Sequence, residues 1–132
     1  MKTPRRNRTR ARKLALLLAS TARERKGGEV CILDVGELTF ITDFFVLITT
    51  GSAPQTRGIA DALNQAAKES GELKGRIEGS FRSPWLLMDF GSVVVHVLTA
   101  EARDFYGLDR LWADAPELAL PADDGDSARS AV

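Results

Sequence analysis

Two apolar runs, Trp85 to Met88 and Val93 to Leu98, flank Asp89-Phe90-Gly91-Ser92, and this pattern leaves the middle of the chain few choices besides a β-hairpin. A two-residue loop at Phe90-Gly91 would pair Asp89 with Ser92, Met88 with Val93 and Trp85 with His96. Alternation then puts Trp85, Leu87, Asp89, Ser92, Val94, His96 and Leu98 on one face, and Leu86, Met88, Val93, Val95 and Val97 on the other. Both faces are largely apolar, so both have to be covered. The domain's own helices can cover one face, and the other calls for a further helix or another molecule.

Helices and strands alternate around the hairpin. The spacing predicts a first helix over about 13–26, whose Arg23, Arg25 and Lys26 before Gly27-Gly28 suit a helix C-terminus. Strands are predicted at 29–35 and 44–50. Ser52 can cap a second helix that has Pro54 in its first turn, Gln55 to complete the capping box, and Gly71 as its stop. Its apolar stripe is Ile59, Ala62, Leu63 and Ala66. A short polar strand at 74–79 precedes the hairpin, and a short helix over Ala100–Tyr106 follows it, with a further turn carrying Leu108, Leu111 and Trp112. The expected fold is α/β (α+β), a single domain with one mixed sheet of four to five strands flanked by helices.

Length and charge divide the chain further. Its 132 residues suffice for one ordinary core. Residues 1–26 hold ten Lys/Arg against Glu24 alone, nine positive charges in excess, and since the formal total is zero, residues 27–132 carry nine negative charges in excess. The expected organisation is a basic disordered arm at 1–12, a folded domain at 13–116 and an acidic disordered tail at 117–132. The arm suits a polyanion such as RNA, whereas the acidic body favours a basic protein. The start also mimics a secretory signal, but its apolar run, Leu14 to Ala19, is only six residues long. No run approaches the roughly 18 apolar residues that span a bilayer, so no membrane partner is expected.

Chemistry is harder to place. Cys31, the single cysteine, lies in an apolar strand and reads as a buried thiol. His96 is the single histidine, so neither a Ser- or Cys-based nucleophile nor a four-ligand zinc site has its partners, and no cofactor or metal is expected. Asp89-Phe90-Gly91 spells a kinase motif without the rest of that pattern. Gly51-Ser52, between strand and helix, could hold a phosphate, but two-metal transfer also needs clustered carboxylates, and Asp61 and Asp89 are scattered. Trp85, Phe105, Tyr106 and Trp112 remain as interface candidates. Trp85 has the best case for exposure, while Phe105 and Trp112 suit core and surface equally.

The ordered set Thr42-Asp43-Phe44-Phe45-Val46, Gly51-Ser52, Gln55, Ile59-Ala60-Asp61, Gly79, Trp85, Asp89-Phe90-Gly91, Val95-His96-Val97, Arg103-Asp104-Phe105-Tyr106, Leu108, Leu111 and Trp112 closely resembles the ribosomal silencing factor family, also called Iojap or RsfS. The resemblance covers about residues 14–115. It implies a non-enzymatic factor, cytoplasmic in bacteria and with organellar relatives, that binds the large ribosomal subunit through ribosomal protein number fourteen. There it blocks joining of the small subunit and represses translation when nutrients are scarce. It also implies a nucleotidyltransferase-like topology lacking the catalytic carboxylates, and homodimers when free. Phe90 departs from the family's frequent Tyr. On this reading Trp85 and Leu87 are apolar anchors, Asp89, Glu101 and Asp104 charge partners, and His96 and Tyr106 polar neighbours. The alternatives are a large-subunit assembly factor, a residual nucleotidyltransferase, and an RNA-binding module that uses the arm for rRNA.

Overall fold

The computed structural model describes residues 8–120. In chain order these form α1 (Arg8–Glu24), β1 (Gly28–Asp34), β2 (Phe44–Thr50), α2 (Ala53–Glu69), β3 (Arg76–Glu78), β4 (Trp85–Asp89), β5 (Val93–Thr99), α3 (Ala100–Tyr106), α4 (Leu108–Leu111) and β6 (Glu117–Leu118). One mixed sheet has the order β3-β4-β5-β2-β1-β6. Only the central β2–β5 pair is parallel, with α2 and the hairpin in its crossover. The sheet has six strands rather than four to five, because two-residue β6 adds to the edge of β1 at Ile32 and Leu33.

The hairpin forms with its predicted faces but not its predicted pairs. Trp85 pairs with Leu98, Leu87 with His96 and Asp89 with Val94. The Phe90 amide donates to the Val93 carbonyl at 2.9 Å, so Gly91-Ser92 is the two-residue loop. Gly91 has φ +86°, and the Asp89 carboxylate accepts from its amide at 2.8 Å. A loop of this kind needs positive φ at its first position, which selects Gly91 over Phe90. The shift is two residues, so every side chain keeps its face.

Helices α1 and α2 cover one face. Leu14, Leu18, Ile59 and Leu63 pack there on Ile32, Val46, Ile48, Leu86, Met88, Val95 and Val97. On α2 the buried set is Thr56, Ile59, Ala60, Leu63 and Ala67, so Ala60 and Ala67 replace the expected Ala62 and Ala66. Ser52 caps the helix as predicted: its hydroxyl accepts from the Gln55 backbone amide at 3.2 Å, while the Gln55 side-chain Oε1 accepts from the Gly51 amide at 2.7 Å.

Helix α1 begins at Arg8, earlier than predicted, and so takes in residues 8–12 of the expected disordered arm. The reason is tertiary. Arg8 donates to Asp34 at 2.5 Å, lies 3.6 Å from buried Asp43 and stacks on Phe44, while Ala11 packs in the core. The rest of the predicted arm lies outside the described residues; of the tail expected to be disordered over 117–132, Glu117–Leu118 instead pair with β1 as β6, and 121 onward lies outside the described residues.

Candidate docking surface

The other face of the sheet is built differently. Phe45, Leu47, Val94 and Leu98 are buried there under Ala102 and Leu108, with Trp85, Leu87, Cys31 and Trp112 half-covered at the margin. Only seven-residue α3 and four-residue α4 lie over it. Thr99 caps α3 by accepting from the Ala102 amide at 3.1 Å, and Gly107, at φ 60°, ends α3 and opens α4.

A continuous band of rings crosses this face. Phe105 meets Tyr106 at 5.0 Å between centroids, Tyr106 meets Trp85 at 4.9 Å, and Trp85 meets His96 at 5.9 Å. His96 then meets Phe45 at 4.6 Å, and Phe45 meets Trp112 at 4.9 Å. The band runs from exposed to buried, with Phe105 78% and Tyr106 50% accessible but Phe45 and His96 in the buried class. Phe105, which the sequence placed equally well in the core, is on the surface, and Leu111 on α4 is exposed as well.

His96 is fixed within the band. Its Nδ1 accepts from the Trp85 indole Nε1–H at 3.1 Å, which puts the neutral ring's proton on Nε2, a buried atom with no partner among the described residues. Burial holds its pKa down at about 4, so the ring is neutral at physiological pH. It serves the site by orienting Trp85, and little of it is available for direct contact, since it is only 6% exposed.

The other expected site residues fall around this band. Leu87 and Asp89 continue the strand face from Trp85 and are half-buried. Asp89 is already engaged by the Gly91 amide and by Arg76, at 3.3 Å, so its acceptor capacity is shared. Glu101 and Asp104 are exposed on α3. The structure thus brings Trp85, His96 and Tyr106 into one cluster, with Leu87 alongside, and leaves Asp89 at the far end of β4 from α3.

One residue of this region carried no expected role, although it stands in the family motif. Arg103 is 7% exposed, and its Nε and Nη2 donate to the two Asp109 carboxylate oxygens at 2.9 and 3.0 Å. Its Nη1 donates to the Glu29 carbonyl at 2.6 Å and the Thr49 hydroxyl at 3.0 Å, and Nη2 lies 3.5 Å from the Cys31 sulfur. Burial alone would lower the Arg103 pKa, but the hydrogen bonds and charge of Asp109 outweigh it and raise the pKa. Reciprocally, Arg103 holds the Asp109 carboxyl below the ordinary range. Cys31 is half-buried, less than expected, and burial pushes its thiol pKa up.

Gly51-Ser52 is occupied by its capping bonds. Among the described residues no group of three or more His, Cys, Asp or Glu side chains could hold a metal ion, and no helix is long and apolar enough to cross a membrane.

Comparison with known proteins agrees with this architecture. Residues 8–131 match the family model described as ribosomal silencing factor during starvation. The ribosomal silencing factor RsfS of Halalkalibacterium halodurans is 36% identical over 107 residues, covering 81% of this chain and 92% of that one. A mouse protein named mitochondrial assembly of ribosomal large subunit protein 1 is 33% identical over 102 residues, 73% of this chain and 43% of its own length. A crystal structure from Bacillus halodurans superposes with a TM-score of 0.70 at 32% identity, covering 83% of this chain and 99% of that one. The chain belongs to the ribosomal silencing factor family.

Proposed function

We propose that this protein is a non-enzymatic regulator that docks its aromatic face on the large ribosomal subunit, at ribosomal protein number fourteen, and so blocks association with the small subunit. Translation is thereby repressed when nutrients are limiting. The observation that carries the reading is the ring band: Phe105, Tyr106 and Trp85 are contiguous, partly exposed and flanked by Glu101 and Asp104. Aromatic anchors with a charged rim are the usual anatomy of a protein interface. Ribosomal proteins are generally basic, so the exposed carboxylates of Glu101 and Asp104 would favour one. In this reading Trp85, Leu87 and Tyr106 make the apolar contact, Asp89, Glu101 and Asp104 supply charge, and His96 holds Trp85 in place.

Sedimentation with isolated large subunits, small subunits and joined ribosomes tests the proposal. Co-migration with free large subunits alone, together with fewer joined ribosomes as the protein is added, is expected. Equal binding to joined ribosomes would contradict it. The mouse relative's name supports a second reading, a role in large-subunit assembly through the same surface. Precursor large subunits accumulating on depletion of the protein, with subunit joining unaffected, would favour that reading. The basic residues of positions 1–12 would add a phosphate contact on rRNA, which steepens the salt dependence of binding. Free protein is expected to be a homodimer, as sedimentation equilibrium would report.

A further inference from the structure

Helix α3 carries Glu101, Asp104, Phe105 and Tyr106 outward, yet it has little to hold it to the sheet. With seven residues it is too short to be stable alone. Only Ala102 and Arg103 of α3 are buried, and a single methyl group fixes neither tilt nor rotation. Arg103 does. Its planar fork reaches Asp109 beyond Gly107, the Thr49 hydroxyl on central β2, and the Glu29 carbonyl on β1. These partners lie 6, 54 and 74 positions away in sequence, so one side chain ties α3 to α4, β2 and β1.

The β1 end of this linkage is itself unusual. Glu29 has φ +45°, a left-handed conformation that costs a non-glycine residue on the order of 1 kcal/mol, and the β1–β2 register shifts between Gly28 and Cys31. The Glu29 carbonyl in this irregular stretch is the one that accepts from Arg103, at 2.6 Å. Strain of this kind persists where surrounding contacts over-determine it.

Resting on the docking surface proposed above, we infer that Arg103 is its positioning residue: the buried guanidinium sets the angle of α3 on the sheet and so holds Phe105 and Tyr106 beside Trp85. Lysine cannot replace it, because one ammonium cannot span Asp109 and the Glu29 carbonyl as a rigid fork does. The Arg103 side chain itself need not touch the partner, since Phe105 and Tyr106 act at its direction.

The test is a double-mutant cycle on binding of the full chain to isolated large subunits, with Trp85→Ala as control. Arg103→Lys should weaken binding about tenfold, and should weaken it far less in a Phe105→Ala/Tyr106→Ala background, because the rings it positions are already gone. Nuclear Overhauser contacts between the Trp85 and Tyr106 rings should fade in the same variant. Should Arg103→Lys fail to fold, Asp109→Asn, which alters a half-exposed partner, takes its place in the same cycle. A folded Arg103→Lys or Asp109→Asn protein with undiminished affinity, or with a loss fully additive to that of the ring truncations, overturns the inference. If Trp85→Ala also binds normally, the docking surface itself is misplaced; if Trp85→Ala alone weakens binding, only the role of Arg103 falls.

Discussion

The two faces of the one sheet are covered by different means. On the first, two 17-residue helices seal aliphatic side chains against one another, and Leu18, Ile48, Leu63, Leu86 and Met88 are fully buried. On the second, two helices of seven and four residues lie over a band of rings, and a histidine and an arginine are buried among them. A face that only has to fold can be closed with shape-matched hydrocarbon. A face that also meets another molecule keeps rings at its margin and needs polar groups to orient them. On the proposed function the first face sets stability and the second sets contact, and substitutions should separate the two.

The largest effect is expected on the sealed face. Leu63→Ala should cost about 2–5 kcal/mol in denaturant unfolding, since it opens a cavity between α2 and the sheet, while the remaining folded protein keeps its affinity for large subunits. Specific loss of binding without loss of stability would break the division.

Next in size is a pH effect on the contact face. The folded His96 pKa is about 4 against an ordinary 6.5, so between these values the unfolded chain binds a proton that the folded chain excludes. Stability is then full above pH 6.5 and falls as pH drops toward 4, by on the order of 3 kcal/mol. His96→Gln should flatten that slope, as urea titrations over this pH range would report. The Asp34 and Asp109 carboxyls, both held below the ordinary range beside arginines, act in a more acidic window. Burial works against that lowering at Asp34, where the hydrogen bonds from Arg8 and the Gly36 amide and the charges of Arg8 and Arg12 together outweigh it.

Phe105→Ala should divide the properties the other way. At 78% exposure the ring contributes little to folding, so unfolding should move by less than about 0.5 kcal/mol, whereas large-subunit affinity should fall by about 1 kcal/mol or more. The smallest effect is expected from added salt, which screens the acidic rim and should slow association more than it speeds dissociation, as stopped-flow mixing would resolve.

The sequence carried more of the first face than of the second. Periodicity located α2 and its cap, and strand alternation sorted the hairpin's faces correctly even though its pairs were off by two, because an even slip leaves the faces unchanged. The slip arose from centring the loop on Phe90-Gly91, when the positive φ required at its first position singled out Gly91. The early start of α1 was hidden because Arg8 finds Asp34 26 positions away, a tertiary contact that outweighs the poor local match of basic residues to a helix N-terminus. On the second face, seven residues of α3 give too few turns to tell a core ring from a surface one, which left Phe105 open. Arg103 was legible only as a letter in a family motif, since its partners come from three distant segments. The family pattern pointed to Trp85 as an apolar anchor and to Tyr106 as a polar neighbour, and the 4.9 Å ring contact is what joins them.

Strand, buried histidine and exposed helix meet at Trp85. The most direct measurement is the affinity of isolated large subunits for folded Trp85→Ala protein, compared with Lys68→Ala on the exposed side of α2. The predicted result is a loss of about 2 kcal/mol, roughly 30-fold, for Trp85→Ala, with Lys68→Ala close to the parent. Unchanged affinity for Trp85→Ala, or an equal loss in both variants, would contradict the assignment of the aromatic face as the docking surface.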